Sequence, residues 1–145
     1  MQLFTRTVGS IAIPPGPFVL IVDDEVASVG PLGELVKLAG YPNVAAGSAY
    51  DALACCVLRK PSVVVTDLVM PGRDGRDLAR RIKRRYPTVP ILLVTGQDLD
   101  KPDWAIPEGM FQAVFTKPLN FDRFLGTLGG LMPSVKRKGH DRPRP

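Results

Sequence analysis

A chain of 145 residues is the length of one domain, and 45% hydrophobic with 23% charged residues is an ordinary globular composition. No apolar run approaches the ~20 residues that span a bilayer. The opening MQLFTRTVGSIAIPPGP lacks a basic start, a long apolar core and a small-residue cleavage site, so the expectation is a cytoplasmic protein with no membrane segment.

In chain order, an irregular start through residue 17 leads to FVLIV (18–22), helix-like PLGELVKLAG (31–40), extended NVAA (43–46) and helix-like AYDALACCVLRK (49–60). SVVVT (62–66), helical RDLARRIKRRY (76–86), ILLV (91–94), a Pro-interrupted stretch, AVF (113–115) and helical FDRFLGTLGGL (121–131) follow. Strands and about five helices alternate. The strands are continuously apolar, as strands buried on both faces are. That order implies right-handed βαβ crossovers and an α/β fold: a doubly wound, flavodoxin-like, five-stranded parallel sheet of order 2-1-3-4-5 with helices on both faces.

Two helices are expected to be irregular. Pro31 follows Gly30 in the first, and a proline inside a helix costs about 3 kcal/mol, so that helix should start late or kink. The fourth helix would have to form in GQDLDKPDWAIPEGM, where Pro102 and Pro107 divide it. In the third, Leu78, Ala79 and Ile82 form the inward stripe, and Arg73, Arg76, Arg80, Arg81, Lys83, Arg84 and Arg85 a solvated face.

A parallel sheet brings all the C-terminal strand ends to one edge, and here those ends carry chemistry. The first is followed by Asp23, Asp24 and Glu25, the third by Asp67, the fourth by Thr95 and the fifth by Lys117. Clustered carboxylates repel unless a cation neutralises them, and hard oxygen ligands with room for water favour Mg²⁺. Thr95 and Lys117 would then supply donors to an oxyanion beside the metal, an arrangement suited to phosphoryl transfer.

Other residues read as structural. Cys55 and Cys56 are adjacent on a helix, where consecutive side chains diverge by about 100° and do not bridge easily. With His140 as the one histidine, they have no evident metal partners. The net charge of +5 is concentrated in PSVKRKGHDRPRP (133–145), with five Lys or Arg against one Asp. Without interleaved aromatics this argues for a solvated, disordered tail and against nucleic-acid binding.

The motifs VLIVDDE, VVVTDLVMPGRDG, ILLVTG and VFTKPLN, in that order, resemble those of bacterial response-regulator receiver domains over residues 18–131. The resemblance implies residues 1–17 as an N-terminal extension and 132–145 as a tail. It makes Asp67 the phosphoacceptor, attacking the phosphohistidine of a histidine kinase or phosphotransfer protein. It makes Asp24, Asp67 and the backbone carbonyl of Val69 Mg²⁺ ligands, with Asp23 in support, and Thr95 and Lys117 partners of the phosphoryl group. Lys117–Pro118 resembles the family's cis bond. Val114 stands where the family has an aromatic three positions before the Lys, and Phe115, on the opposite face of the strand, is expected in the core.

The expectation is therefore a stand-alone, Mg²⁺-dependent two-component receiver that changes its protein–protein contacts on phosphorylation. It is not an enzyme beyond slow self-dephosphorylation; kinase, downstream target and oligomeric state are left open. The competing reading is a receiver-like module that binds without being phosphorylated. A haloacid-dehalogenase-type phosphatase would need a second Asp at the position of Val69, and a nucleotide binder would need a phosphate cradle where DDEVAS stands.

Overall fold

The computed structural model describes residues 6–8, 11–24, 26–70 and 72–133. The first five residues, Gly9, Ser10, Glu25, Pro71 and the tail from residue 134 lie outside them, and with that tail the expectation of disorder. Two short strands come first, β1 (Arg6–Val8) and β2 (Ile11–Ile13), followed by β3 (Val19–Val22), α1 (Val26–Leu38), β4 (Asn43–Ala46), α2 (Ala49–Leu58) and β5 (Val63–Thr66). Next are β6 (Val69–Met70), β7 (Arg73–Asp74), α3 (Gly75–Arg85), β8 (Ile91–Thr95), a 3-10 turn at Pro102–Trp104, β9 (Ala113–Thr116) and α4 (Phe121–Leu131).

The main sheet has the order β4-β3-β5-β8-β9, all parallel, which is the expected 2-1-3-4-5 when its strands are counted along the chain. Strand alternation sends side chains to both faces. Leu20, Val22, Val64 and Ile91 join the core under α2 and α3 with Leu78, Ala79 and Ile82. Val19, Ile21, Val65, Leu92 and Val94 join the core on the other face with Val36, Phe124 and Leu128. Phe115 belongs to that second core, 2% exposed and edge-on to Phe124 at 5.4 Å. Such a pair adds about 0.5–1.5 kcal/mol to the burial of its rings. Among the described residues no helix is long and apolar enough to cross a membrane.

Polar side chains set the starts of three helices. Ser48 accepts from the Asp51 N–H at 3.0 Å, Asp74 from the Arg76 N–H at 2.7 Å and Asn120 from the Arg123 N–H at 3.0 Å. Each satisfies a backbone donor that the helix leaves unpaired.

Two expectations are corrected. Residues 6–8 and 11–13 are not irregular, because β1 and β2 pair antiparallel, and Ile13 is fully buried with Phe18. The Arg59 guanidinium fixes this segment, donating to the carbonyls of Pro14 and Gly16 and lying 5.1 Å from the Phe18 ring centre. Nor does α1 start late: it begins at Val26, with Pro31 inside it. Proline forfeits one helical hydrogen bond, but packing of Leu32 and buried Val36 against the sheet holds the helix. The fourth helix is irregular, as its prolines imply: among the described residues it is the 3-10 turn that Pro102 opens, beside four α-helices.

Cys55 and Cys56 are free and buried, as small core residues should be. Burial raises both thiols, with Cys56 pushed to about 12, which keeps them from forming reactive thiolates at neutral pH.

Candidate functional site

Strand register brings the functional side chains together. Val22 is level with Thr66, so Asp23 and Asp67, the next residues, leave neighbouring strands side by side. Their backbones are tied by hydrogen bonds from the Asp67 N–H to the Val22 carbonyl (3.2 Å) and from the Asp23 N–H to the Ala46 carbonyl (3.1 Å). Thr95 is level with Thr116, and the Lys117 N–H donates to the Thr95 carbonyl at 2.9 Å. Lys117–Pro118 is cis, as the resemblance implies.

The two carboxylate oxygens of Asp67 have different partners. Oδ1 accepts from the Leu68 N–H at 2.6 Å, while Oδ2 accepts from Lys117 Nζ at 3.3 Å. The same ammonium is 3.7 Å from Oδ2 of Asp23, itself 8% exposed. Asp24, Asp67, Val69, Gly96, Gln97 and Lys117 line an open cleft of about 400 Å³. A second, more apolar cleft of about 270 Å³ lies on the far side of Asp67 and Lys117, against Pro31, Leu32 and Phe121.

Among the described residues no three acidic, His or Cys side chains approach closely enough to hold an ion alone. A cation in the open cleft would therefore rely on one or two carboxylates, a carbonyl and water. That donor set fits Mg²⁺, which keeps several waters, better than Ca²⁺.

Thr95 is at the strand end but does not line the cleft. It is fully buried, and its Oγ1 accepts from the Gln97 N–H at 3.1 Å. The hydroxyl keeps a proton to donate while it accepts from Gln97.

Two residues with structural control over the site carry no catalytic signature in the sequence. Gly75 opens α3 beneath Asp67, its N–H donating to the Leu68 carbonyl at 2.7 Å. A Cβ there would meet the Asp67 carbonyl oxygen at 2.2 Å. The DG step that ends VVVTDLVMPGRDG is the only trace of this contact in the sequence. Arg76 holds Asp74 through Nε (3.0 Å) and Nη2 (2.6 Å), donates to the Ala105 carbonyl at 2.7 Å and lies 5.6 Å from the Trp104 ring centre. It thereby fastens the irregular 96–110 segment to the start of α3.

The Arg76 hydrogen bond, with its backbone N–H and charge, holds the Asp74 carboxyl below its ordinary value. Because the folded value is depressed, the stability it confers is present above about pH 4 and is lost as pH falls through the folded value. Arg76→Ala is expected to lower stability by about 1 kcal/mol at neutral pH, discounted for partial exposure. As pH falls through the folded value of Asp74 the difference from the parent should shrink to what the Ala105 and Trp104 contacts contribute. Urea midpoints across pH check this, and a deficit that is constant with pH would contradict it.

The family model described as the response regulator receiver domain matches residues 19–128. The chain belongs to that family. Relatives include the phosphate regulon transcriptional regulatory protein PhoB of Pseudomonas aeruginosa, 38% identical over 84 residues, covering 57% of this chain and 37% of that protein. The C4-dicarboxylate transport transcriptional regulatory protein DctD of Rhizobium meliloti is 33% identical over 110 residues, covering 75% and 24%. The chain thus spans only a minor part of these two relatives. Among solved structures, the signal receiver domain of an HD domain-containing protein from Pseudomonas fluorescens Pf-5 superposes with TM-score 0.72 at 29% identity, covering 79% of this chain and 93% of that one. A response regulator receiver protein from Pseudomonas putida gives 0.70 at 26%, covering 81% and 99%. This chain is a receiver domain of the two-component kind.

Proposed function

We propose that the receiver takes a phosphoryl group onto Asp67 from the phosphohistidine of a histidine kinase or phosphotransfer protein, and that the modified cleft then changes its protein contacts. The observation that carries this is the unequal engagement of Asp67. With Oδ1 held by the Leu68 N–H, Oδ2 is the oxygen turned to Lys117 and is assigned as the nucleophile. As its bond to phosphorus forms, the donor's P–N bond breaks, and the Lys117 ammonium moves from the carboxylate onto a phosphoryl oxygen. Asp23 keeps that ammonium in place from its other side. Mg²⁺, when held by Asp24, Asp67, the Val69 carbonyl and water, would offset charge on the phosphoryl oxygens.

The experiment is incubation of the full chain with acetyl phosphate and Mg²⁺, read by intact mass. One added phosphoryl group is expected, dependent on the metal and lost slowly by hydrolysis. No added mass would leave a receiver that acts by binding alone.

The phosphorylated form should differ from the free form chiefly in residues 96–110. Thr95 couples the phosphoryl group to that segment, because the hydroxyl that would donate to it also accepts from the Gln97 N–H, so displacement enters there first. Val114 has a single side-chain torsion, and Phe115 is locked against Phe124, so β9 offers little to rearrange. Amide NMR of the beryllofluoride complex, a phosphoryl mimic, should show its largest shifts within 96–110. Shifts confined to 113–116 and α4 would refute this.

A further inference from the structure

Between Gln97 and Met110 the backbone bonds chiefly to itself. The Lys101 N–H donates to the Asp98 carbonyl, that of Trp104 to Lys101, that of Ala105 to Pro102 and that of Met110 to Pro107. The Asp100 N–H donates to Asp98 Oδ1, again within the segment. Among the described residues one hydrogen bond crosses from 98–110 to the rest of the fold, from Arg76 Nη1 to the Ala105 carbonyl at 2.7 Å. The same guanidinium lies 5.6 Å from the Trp104 ring centre. The two ends of the segment are held separately, by the Gln97 N–H on Thr95 Oγ1 and by packing of Met110 and Phe111 against the core. Arg76 is a strut at the middle.

That strut is rigid. Its side chain is 18% exposed, where those of Arg80 and Arg81 on the same helix are 54% and 48%, so it is no solvated arginine. Nε lies 3.0 Å from Asp74 Oδ1 and Nη2 2.6 Å from Asp74 Oδ2, while Asp74 Oδ1 also caps α3 at the Arg76 N–H. A guanidinium is planar, so gripping Asp74 along one edge fixes where Nη1 points. Gly75, between the two residues, is packed against the Asp67 carbonyl, which keeps this corner of α3 from following the segment outward. A hydrogen bond is lost beyond about 3.5 Å, so displacing the Ala105 carbonyl by about 1 Å releases it.

We propose that Arg76 is a positioning residue that holds the receiver in its unphosphorylated arrangement: the strut is made while Asp67 is free, and the displacement of 96–110 that follows phosphorylation breaks it. The inference rests on Asp67 being the phosphoacceptor and on Thr95 carrying the change into that segment. A contact made in one of two arrangements weights the equilibrium toward it and, by linkage, weakens whatever binds the other. Arg76 therefore opposes phosphoryl binding at Asp67 without touching it, and its loss should make the cleft easier to load. A purely structural role has the opposite sign, since loosening α3 beneath Asp67 would impair the site.

The test is titration of the full chain with beryllofluoride and Mg²⁺. Affinity is read at the Leu68 amide by NMR, and exposure of Trp104, the one tryptophan of the chain, by acrylamide quenching of its emission. Saturation should increase the quenching of Trp104 in the parent. Arg76→Met keeps the apolar stem and removes the fork; it should bind beryllofluoride about fivefold or more tightly while being less stable to urea. Its 96–110 amides should be shifted, before any ligand is added, toward their positions in the parent complex. Arg80→Met, which frees an arginine held by Asp77 on the same helix, should leave affinity nearly unchanged. Equal or weaker affinity in Arg76→Met, an equal gain in Arg80→Met, or a Leu68 shift at saturation with Trp104 quenching unchanged would each overturn the proposal. No shift at Leu68 at all would instead remove Asp67 as the acceptor, and the proposal with it.

Discussion

Asp67→Asn should remove phosphoryl uptake from acetyl phosphate while leaving the fold intact, the largest single effect expected in this chain. The amide nitrogen is no nucleophile at neutral pH, so labelling should fall by more than about a thousandfold. The fold is expected to tolerate the change for two reasons. Asn keeps a carbonyl oxygen that can accept from the Leu68 N–H, now made at 2.6 Å to Oδ1. It also removes one of two carboxylates around Lys117, so the lost ion pair at 3.3 Å is partly offset by a stronger pairing with Asp23. The net change in unfolding free energy should stay within about 1 kcal/mol. Intact mass and urea unfolding check the two halves independently. Undiminished labelling would move the phosphoacceptor to Asp23 or Asp24, and a collapsed fold would make the labelling result uninformative about Asp67.

What the sequence reveals about this protein is chiefly what periodicity and residue type can carry. FVLIV, SVVVT and ILLV read directly as strands buried on both faces, and the acids, Thr95 and Lys117 that follow them converge because parallel strands share an edge. The side of the sheet taken by Phe115 was legible for the same reason, since alternation along a strand is strict. Effects set by tertiary context were not legible. Three-residue strands such as Arg6–Val8 and Ile11–Ile13 are too short for a periodic signal, and what holds them, their mutual pairing, the burial of Ile13 and the grip of Arg59 on Pro14 and Gly16 just after them, is set by the fold. Pro31 signals a helix boundary by local preference, yet burial of the residues after it prevails. Thr95 has the right identity and place, but its hydroxyl is engaged by Gln97, a contact two residues away that side-chain type does not encode.

The same distinction between identity and close approach leads to the second large effect, at Gly75. Its backbone is not in the left-handed region that favours glycine; what excludes a side chain is space. A Cβ would stand 2.2 Å from the Asp67 carbonyl oxygen, 3.0 Å from the Leu68 Cα and 3.1 Å from the Asp67 carbonyl carbon. All three are backbone atoms, so no rotamer change relieves the clash. Either α3 must shift away, losing the 2.7 Å bond from the Gly75 N–H to the Leu68 carbonyl, or the Asp67 loop must move. Overpacking of this kind costs about 1–3 kcal/mol, and the broken bond adds about 1. Gly75→Ala is therefore expected to lose about 2–4 kcal/mol in urea unfolding, with slower phosphoryl uptake because Asp67 turns away from Lys117. Gly126, in exposed α4 with nothing within 4 Å of a built Cβ, supplies the contrast. There Ala should stabilise by about 0.5–1 kcal/mol, the ordinary helix preference over glycine. If both substitutions stabilised the protein, the close packing of α3 beneath Asp67 would be disproved, and with it the view that this glycine sets the height of the acceptor carboxylate.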